Sequence, residues 1–176
     1  MTLPHGARGF TLIELLIVVA IIGALSAIAV PSLLRARMSG NEASAIGSMR
    51  AINSAEVSYA SVAGKGGFST QLVDLAAPCP GSAFGFISPD LSTDPSTKSG
   101  YILSLSAAAG SSPGPLDCSG IVTQSGYYAT AVPVSGGTSG MKAFATSGFG
   151  TIFFEFSGAA PTEAQMAPGG GGSPIR

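Results

Sequence analysis

A run of 21 residues, FTLIELLIVVAIIGALSAIAV from Phe10 to Val30, contains one glycine, no proline and one charged side chain, Glu14. Wound as a helix at 1.5 Å per residue it reaches about 31 Å, the thickness of a bilayer's hydrocarbon core. The buried helix of a soluble domain is expected to be shorter, so the run predicts a membrane span. A cleaved secretory signal is the competing reading, because Ala27-Ile28-Ala29 has the small-residue spacing of a signal peptidase site. Against it stand the length, beyond the roughly 7 to 15 residues of a signal's apolar core, and a carboxylate near the front where a signal gains nothing from one. Flanking charge does not orient the span: Arg8 precedes it, and Arg35 and Arg37 follow it.

That run explains an imbalance in the whole chain. Of 176 residues 45 % are apolar and only 10 % charged, whereas a soluble domain carries about a quarter charged residues. The excess sits largely in one stretch, and the remainder is polar and rich in small residues. Eight Lys and Arg against nine Asp and Glu give a net charge of −1, so there is no basic field to hold nucleic acid. A single histidine, His5, cannot build a zinc site or a Ser/His/Asp or Cys/His arrangement. No Gly-rich loop stands between a strand and a helix as phosphate binding requires. The chain therefore reads as a non-enzyme with no cofactor. Asp90, Asp94 and Asp117 are the acids available to gather around calcium, but the dense ligand pattern of a calcium loop is missing and no metal site is assigned.

Downstream of Pro31 the character changes. Ile46, Met49, Ile52, Ala55 or Glu56, and Tyr59 recur at spacings of three and four, with Arg50, Asn53 and Ser54 elsewhere, which predicts an amphipathic helix over 32–63 stopped by Gly64, Gly66 and Gly67. A short helix is expected over Ser69–Leu75, capped by Ser69 or Thr70 and ended by Pro78. Alternation marks four strands, Tyr101–Ser106, Gly126–Pro133, Met141–Thr146 and Thr151–Ser157, and the short Gly/Ser turns between the last three imply antiparallel pairing. The fold expected is α+β: a long N-terminal helix laid on a small antiparallel sheet over 64–157. The tail, 158–176, with four consecutive glycines from Gly169, is expected to lack structure.

Gly9-Phe10-Thr11-Leu12-Ile13-Glu14 strongly resembles the processing site of type IV pilins and pseudopilins, the class III signal family. The likeness runs over roughly residues 6–60. It implies that residues 1–9 are a leader removed by a prepilin peptidase after Gly9, that the same machinery N-methylates Phe10, and that Glu14 acts in assembly. The leader MTLPHGARG departs from the family in carrying little positive charge. Residues 10–31 would anchor the precursor in the inner membrane with its head in the periplasm, and later form the core of a helical homo-oligomer built by a pilus assembly machinery. The implied function is a filament subunit for adhesion, motility or DNA uptake; the alternative is a pseudopilin of a type II secretion system, working in a periplasmic pseudopilus. Pro31 falls where the family commonly has a helix-interrupting proline, and Gly23 adds a second weak point.

An ionised Glu14 inside a membrane costs about 2.5 to 3.5 kcal/mol unless it is paired or protonated. After cleavage the amine of Phe10, one helical turn away, would offer a partner within one chain or between stacked chains. In the oxidising compartment so implied, Cys79 and Cys118 are expected to be bonded, closing a ring worth about 4 kcal/mol at a length of about 40 residues. Many pilins place their disulfide nearer the carboxyl end, so this position is a departure.

Overall fold

A computed structural model of the chain describes residues 9–175; His5, Arg8 and the other residues before Gly9, where most of the expected leader falls, lie outside the described residues. The chain forms two compact units, Met1–Ala36 and Arg37–Arg176. Helix α1 spans Leu12–Val62.

In the first unit every described residue is exposed. The most apolar 18-residue window of α1 has a mean hydropathy of 2.7 and none of it is buried. A helix that is apolar on all sides cannot be a surface helix of a water-soluble domain. In the single chain the helix runs through both Gly23 and Pro31. Proline removes one amide hydrogen from the ladder, and the flanking bonds of a long helix hold the rest. The Ser32 hydroxyl also donates to the Ala29 carbonyl at 2.8 Å.

The second unit is the α+β head. Six strands are ordered β1-β2-β5-β6-β7-β8, with a separate β3-β4 hairpin. They are β1 Ser96–Lys98, β2 Tyr101–Ala107, β3 Pro113–Leu116, β4 Val122–Gln124, β5 Tyr127–Pro133, β6 Ala143–Ser147, β7 Ile152–Glu155 and β8 Ser173–Pro174. Every pairing is antiparallel. The four strands expected from alternation are β2, β5, β6 and β7, in that spatial order. Leu103 faces Ala131 and Leu105 faces Ala129 across the β2-β5 register. Large side chains opposite alanines leave depth on the inner face, and Met49 and Ile52 of α1 complete the same buried core. The helix stripe is as expected at Met49, Ile52, Ala55, Glu56 and Tyr59, all buried, with Ile46 half-buried.

Three features depart from expectation. The short helix α2 is Leu72–Ala76, and neither Ser69 nor Thr70 caps it: Gln71 holds the cap position without a side-chain bond. The Leu72 amide donates instead to Asp94, at 3.0 Å. The tail is structured. Helix α3, Glu163–Met166, begins with a capping box between Thr162 and Gln165, the Tyr128 hydroxyl donates to the Pro161 carbonyl at 2.6 Å, and β8 pairs with β7. The glycine run suggested too little side chain to pack, but backbone pairing and close approach need none: a Cβ on Gly170 would lie 2.0 Å from the Ala164 carbonyl oxygen. Asn53, placed off the apolar stripe, faces the sheet. Its amide donates to Thr146 at 3.1 Å and to the Gly150 carbonyl at 2.9 Å, and its oxygen accepts from Tyr127 at 3.0 Å.

Cys79 and Cys118 are disulfide-bonded with Cα atoms 5.6 Å apart. The bond ties the α2 loop to the turn where Asp117 accepts from the Ser119 and Ile121 amides and from the Tyr59 hydroxyl. Deeper in, Glu56 is fully buried on α1. One carboxylate oxygen accepts from the Ser69 amide at 3.0 Å, and the other has no partner. Burial pushes this carboxyl up to about 8, and the nearby charge of Asp74 adds to the rise. The folded head thus keeps a proton that the unfolded chain releases from about pH 4.5. The stability this contributes is complete below that pH and is lost as pH rises toward 8. Denaturation of the detergent-solubilised chain should show stability falling by up to about 5 kcal/mol across this window, and Glu56→Gln should remove most of that slope.

Candidate assembly and processing site

The residues expected to serve in processing and assembly, Gly9, Phe10 and Glu14, lie together at the start of α1. Gly9 and Phe10 precede the helix and are exposed. A Cβ added at Gly9 would meet nothing within 4 Å, so this chain's own packing does not require glycine there. Phe10 is 72 % exposed. The peptide between them is open backbone outside the helical ladder, the condition a peptidase needs to draw a bond into its cleft.

Thr11 is the residue that sequence reasoning missed. Its amide donates to Glu14 Oε2 at 2.9 Å and its hydroxyl to the same oxygen at 2.6 Å, while the Glu14 amide donates back to Thr11 Oγ1 at 3.3 Å. This is a capping box, in which each residue's side-chain oxygen accepts from the other's backbone amide, satisfying two helix-end donors that would otherwise lack partners. The signal was present as Thr-x-x-Glu directly before an apolar run. Glu14 therefore has a partner in its own chain. All three bonds fall on Oε2 or on the Glu14 amide, and the acid sits over the positive end of the helix dipole, which stabilises it further.

Gly23 and Pro31 lie along the same exposed helix, away from this cluster in sequence and within an unbroken ladder. Cys79 and Cys118 belong to the head. The three acids weighed for calcium serve as internal acceptors or surface partners: Asp90 pairs with Lys98 at 2.5 Å, Asp94 accepts from the Leu72 and Leu105 amides, and Asp117 closes its own turn. Among the described residues no group of three His, Cys, Asp or Glu side chains is placed to hold a metal ion.

An exposed apolar helix with an acid in its first turn thus precedes an α+β head. Residues 4–30 match the prokaryotic N-terminal methylation motif. The chain is 46 % identical over 52 residues to the type IV major pilin protein PilA of Myxococcus xanthus, a match covering 30 % of this chain and 24 % of that protein. It is 61 % identical over 38 residues to the type IV wide pilus major component PilA4 of Thermus thermophilus, covering 22 % of this chain and 29 % of that one. The matched segments thus span under a third of either relative's length. No solved structure matches the chain.

The capping box is testable apart from any filament. Thr11→Val in micelles should speed amide exchange over Leu12–Leu15 about fivefold, the loss of about 1 kcal/mol of end stabilisation, while Thr11→Ser should hold near the native rate.

Proposed function

We propose that this chain is the structural subunit of a type IV pilus-like filament, cut after Gly9, methylated at Phe10 and polymerised through its N-terminal helix. The observation that carries the reading is the wholly exposed apolar surface of α1 up to Leu34, joined to a methylation motif at its start. Such a surface is stable only in lipid or against other helices of the same kind. The precursor satisfies the first condition as an inner-membrane anchor, and the assembled filament satisfies the second. The names of both relatives, each a major pilus component, support a pilus over a secretion pseudopilus. Adhesion, motility and DNA uptake are the roles such a filament would serve.

Removal of the leader would place a new amine on Phe10, one residue before the capping threonine. That amine, in the same chain or in the copy above, competes with Thr11 for the carboxylate of Glu14. Where water is excluded the charged partner wins, since the ammonium adds ion-pair attraction that the neutral Thr11 donors lack. Glu14 would then change from a helix cap into a register contact between copies. Gly23 and Pro31, continuous in the single chain, are the places where the packed helix would yield under tension.

Amino-terminal sequencing and mass analysis of the mature protein should give N-methylated Phe10; a chain starting at Val30 would instead establish the signal-peptide reading. Glu14→Ala should insert into the membrane as well as the native chain and lower the yield of sheared filaments at least about tenfold. Undiminished filaments from that variant would remove Glu14 from assembly.

A further inference from the structure

Three apolar side chains stay wet at the end of the head that α1 enters. Val134 and Met141 flank the loop after β5 and are 56 % and 50 % exposed, and Phe156, just past β7, is 64 % exposed. The loop is fixed to the part of α1 that begins the head. The Asn41 side-chain amide donates to the Ser139 carbonyl at 2.9 Å, and the Met141 backbone amide donates to the Glu42 carboxylate at 2.9 Å. The Lys142 ammonium lies 3.8 Å from Glu42, and 5.0 Å and 5.6 Å from the ring centres of Phe154 and Phe156. The apolar groups thus stand around one cation on backbone held by these bonds and by the Ala143–Glu155 pairing, so little ordering entropy is lost when they are covered.

What covers them follows from the tether and from charge. Leu34 closes the exposed apolar run, and the seven residues from it to Asn41 reach no farther than about 25 Å even fully extended. A bilayer that holds the run is therefore always within that distance of this end of the head, whatever the angle between the two units. Arg35 and Arg37 lie in the same stretch, exposed, and neither pairs with an acid among the described residues. The acid at this end, Glu42, is already engaged by the Met141 amide and by Lys142. Cations beside exposed apolar side chains are the complement of an anionic lipid surface, phosphate outside and hydrocarbon beneath. We propose that Val134, Met141 and Phe156 insert into the headgroup layer of the anionic bilayer that holds the chain's own span, with Arg35 and Arg37 against its phosphates. The inference rests on the membrane-anchor reading above.

Leu116 and Val122 are also exposed, but they have neither the tether nor the cations. They flank the disulfide turn, where Asp117 meets Tyr59, and Tyr59 is about 27 Å farther along α1 than Asn41. Three apolar side chains are too few to hold a free protein on a membrane, since even one acyl chain binds only marginally. The span supplies the missing part by keeping the head at high effective concentration beside the lipid. The same subunit drawn out of the bilayer releases this face.

The chain contains no tryptophan, so a single introduced one reports its own surroundings. Full-length Phe156→Trp, Met141→Trp and Val122→Trp chains would be reconstituted in vesicles of phosphatidylethanolamine and phosphatidylglycerol, with and without a brominated lipid as quencher. Phe156→Trp and Met141→Trp should emit to the blue of Val122→Trp and be quenched by the brominated lipid at least about twofold more strongly. If both emit as wet and as weakly quenched as Val122→Trp, in chains that float with the vesicles, the lipid contact is overturned and the anchor stands. Shielding from water without quenching by lipid assigns the face to a second copy, and overturns the contact as well. Should Phe156→Trp fail to fold, Met141→Trp decides. Chains that do not float with the vesicles at all remove both the contact and the anchor.

Discussion

The first unit of this protein has no partner within its own chain, and that constraint governs the rest. From Leu12 to Leu34 the side chains are apolar with few exceptions and all are exposed. At about 25 cal/mol per Å², the cost of wetting such a surface far exceeds the net stability of an ordinary domain. The helix must always be somewhere other than water. The head has the opposite requirement, since it carries nearly all the buried core and has to stay folded in either setting.

The head meets that requirement with polar contacts as much as with apolar ones. Asn53 joins α1 to β5, β6 and the β6-β7 turn through one amide. Tyr59 and Asp117 join it to the disulfide turn. Each contact is directional, so each fixes the rotation of the helix on the sheet, which apolar packing leaves looser. Glu56 is the costly member of the set, a buried acid with one unpartnered oxygen, and it makes the junction sensitive to pH.

What was legible in the sequence follows from range. The period-two strands, the helix stripe and the membrane run are properties of neighbouring residues, and they appear where the alternation places them. The bonds of Asn53 connect residues 74 to 97 positions apart, so no local pattern separates it from a solvated polar residue. The cap on α2 escaped for the same reason, because Asp94 reaches it across 22 positions. Two signals were local yet overshadowed. Thr11 and Glu14 spell a capping box inside a segment whose hydrophobicity draws attention to charge alone, and Thr162 with Gln165 spells another inside a tail whose glycines suggest disorder.

The C-terminal segment has an effect on the sheet's outer strands. A sheet with an open flank invites edge-to-edge stacking, the route by which concentrated subunits form irregular aggregates. Here one flank is closed by β8, two residues ending in Pro174, and the other by the three-residue β1, where Lys98 pairs with Asp90. Both are too short, and one too charged and the other too proline-bound, to template another strand. The head thus denies itself the commonest unplanned route to polymer, and leaves the exposed helix as the chain's one large surface in need of a partner.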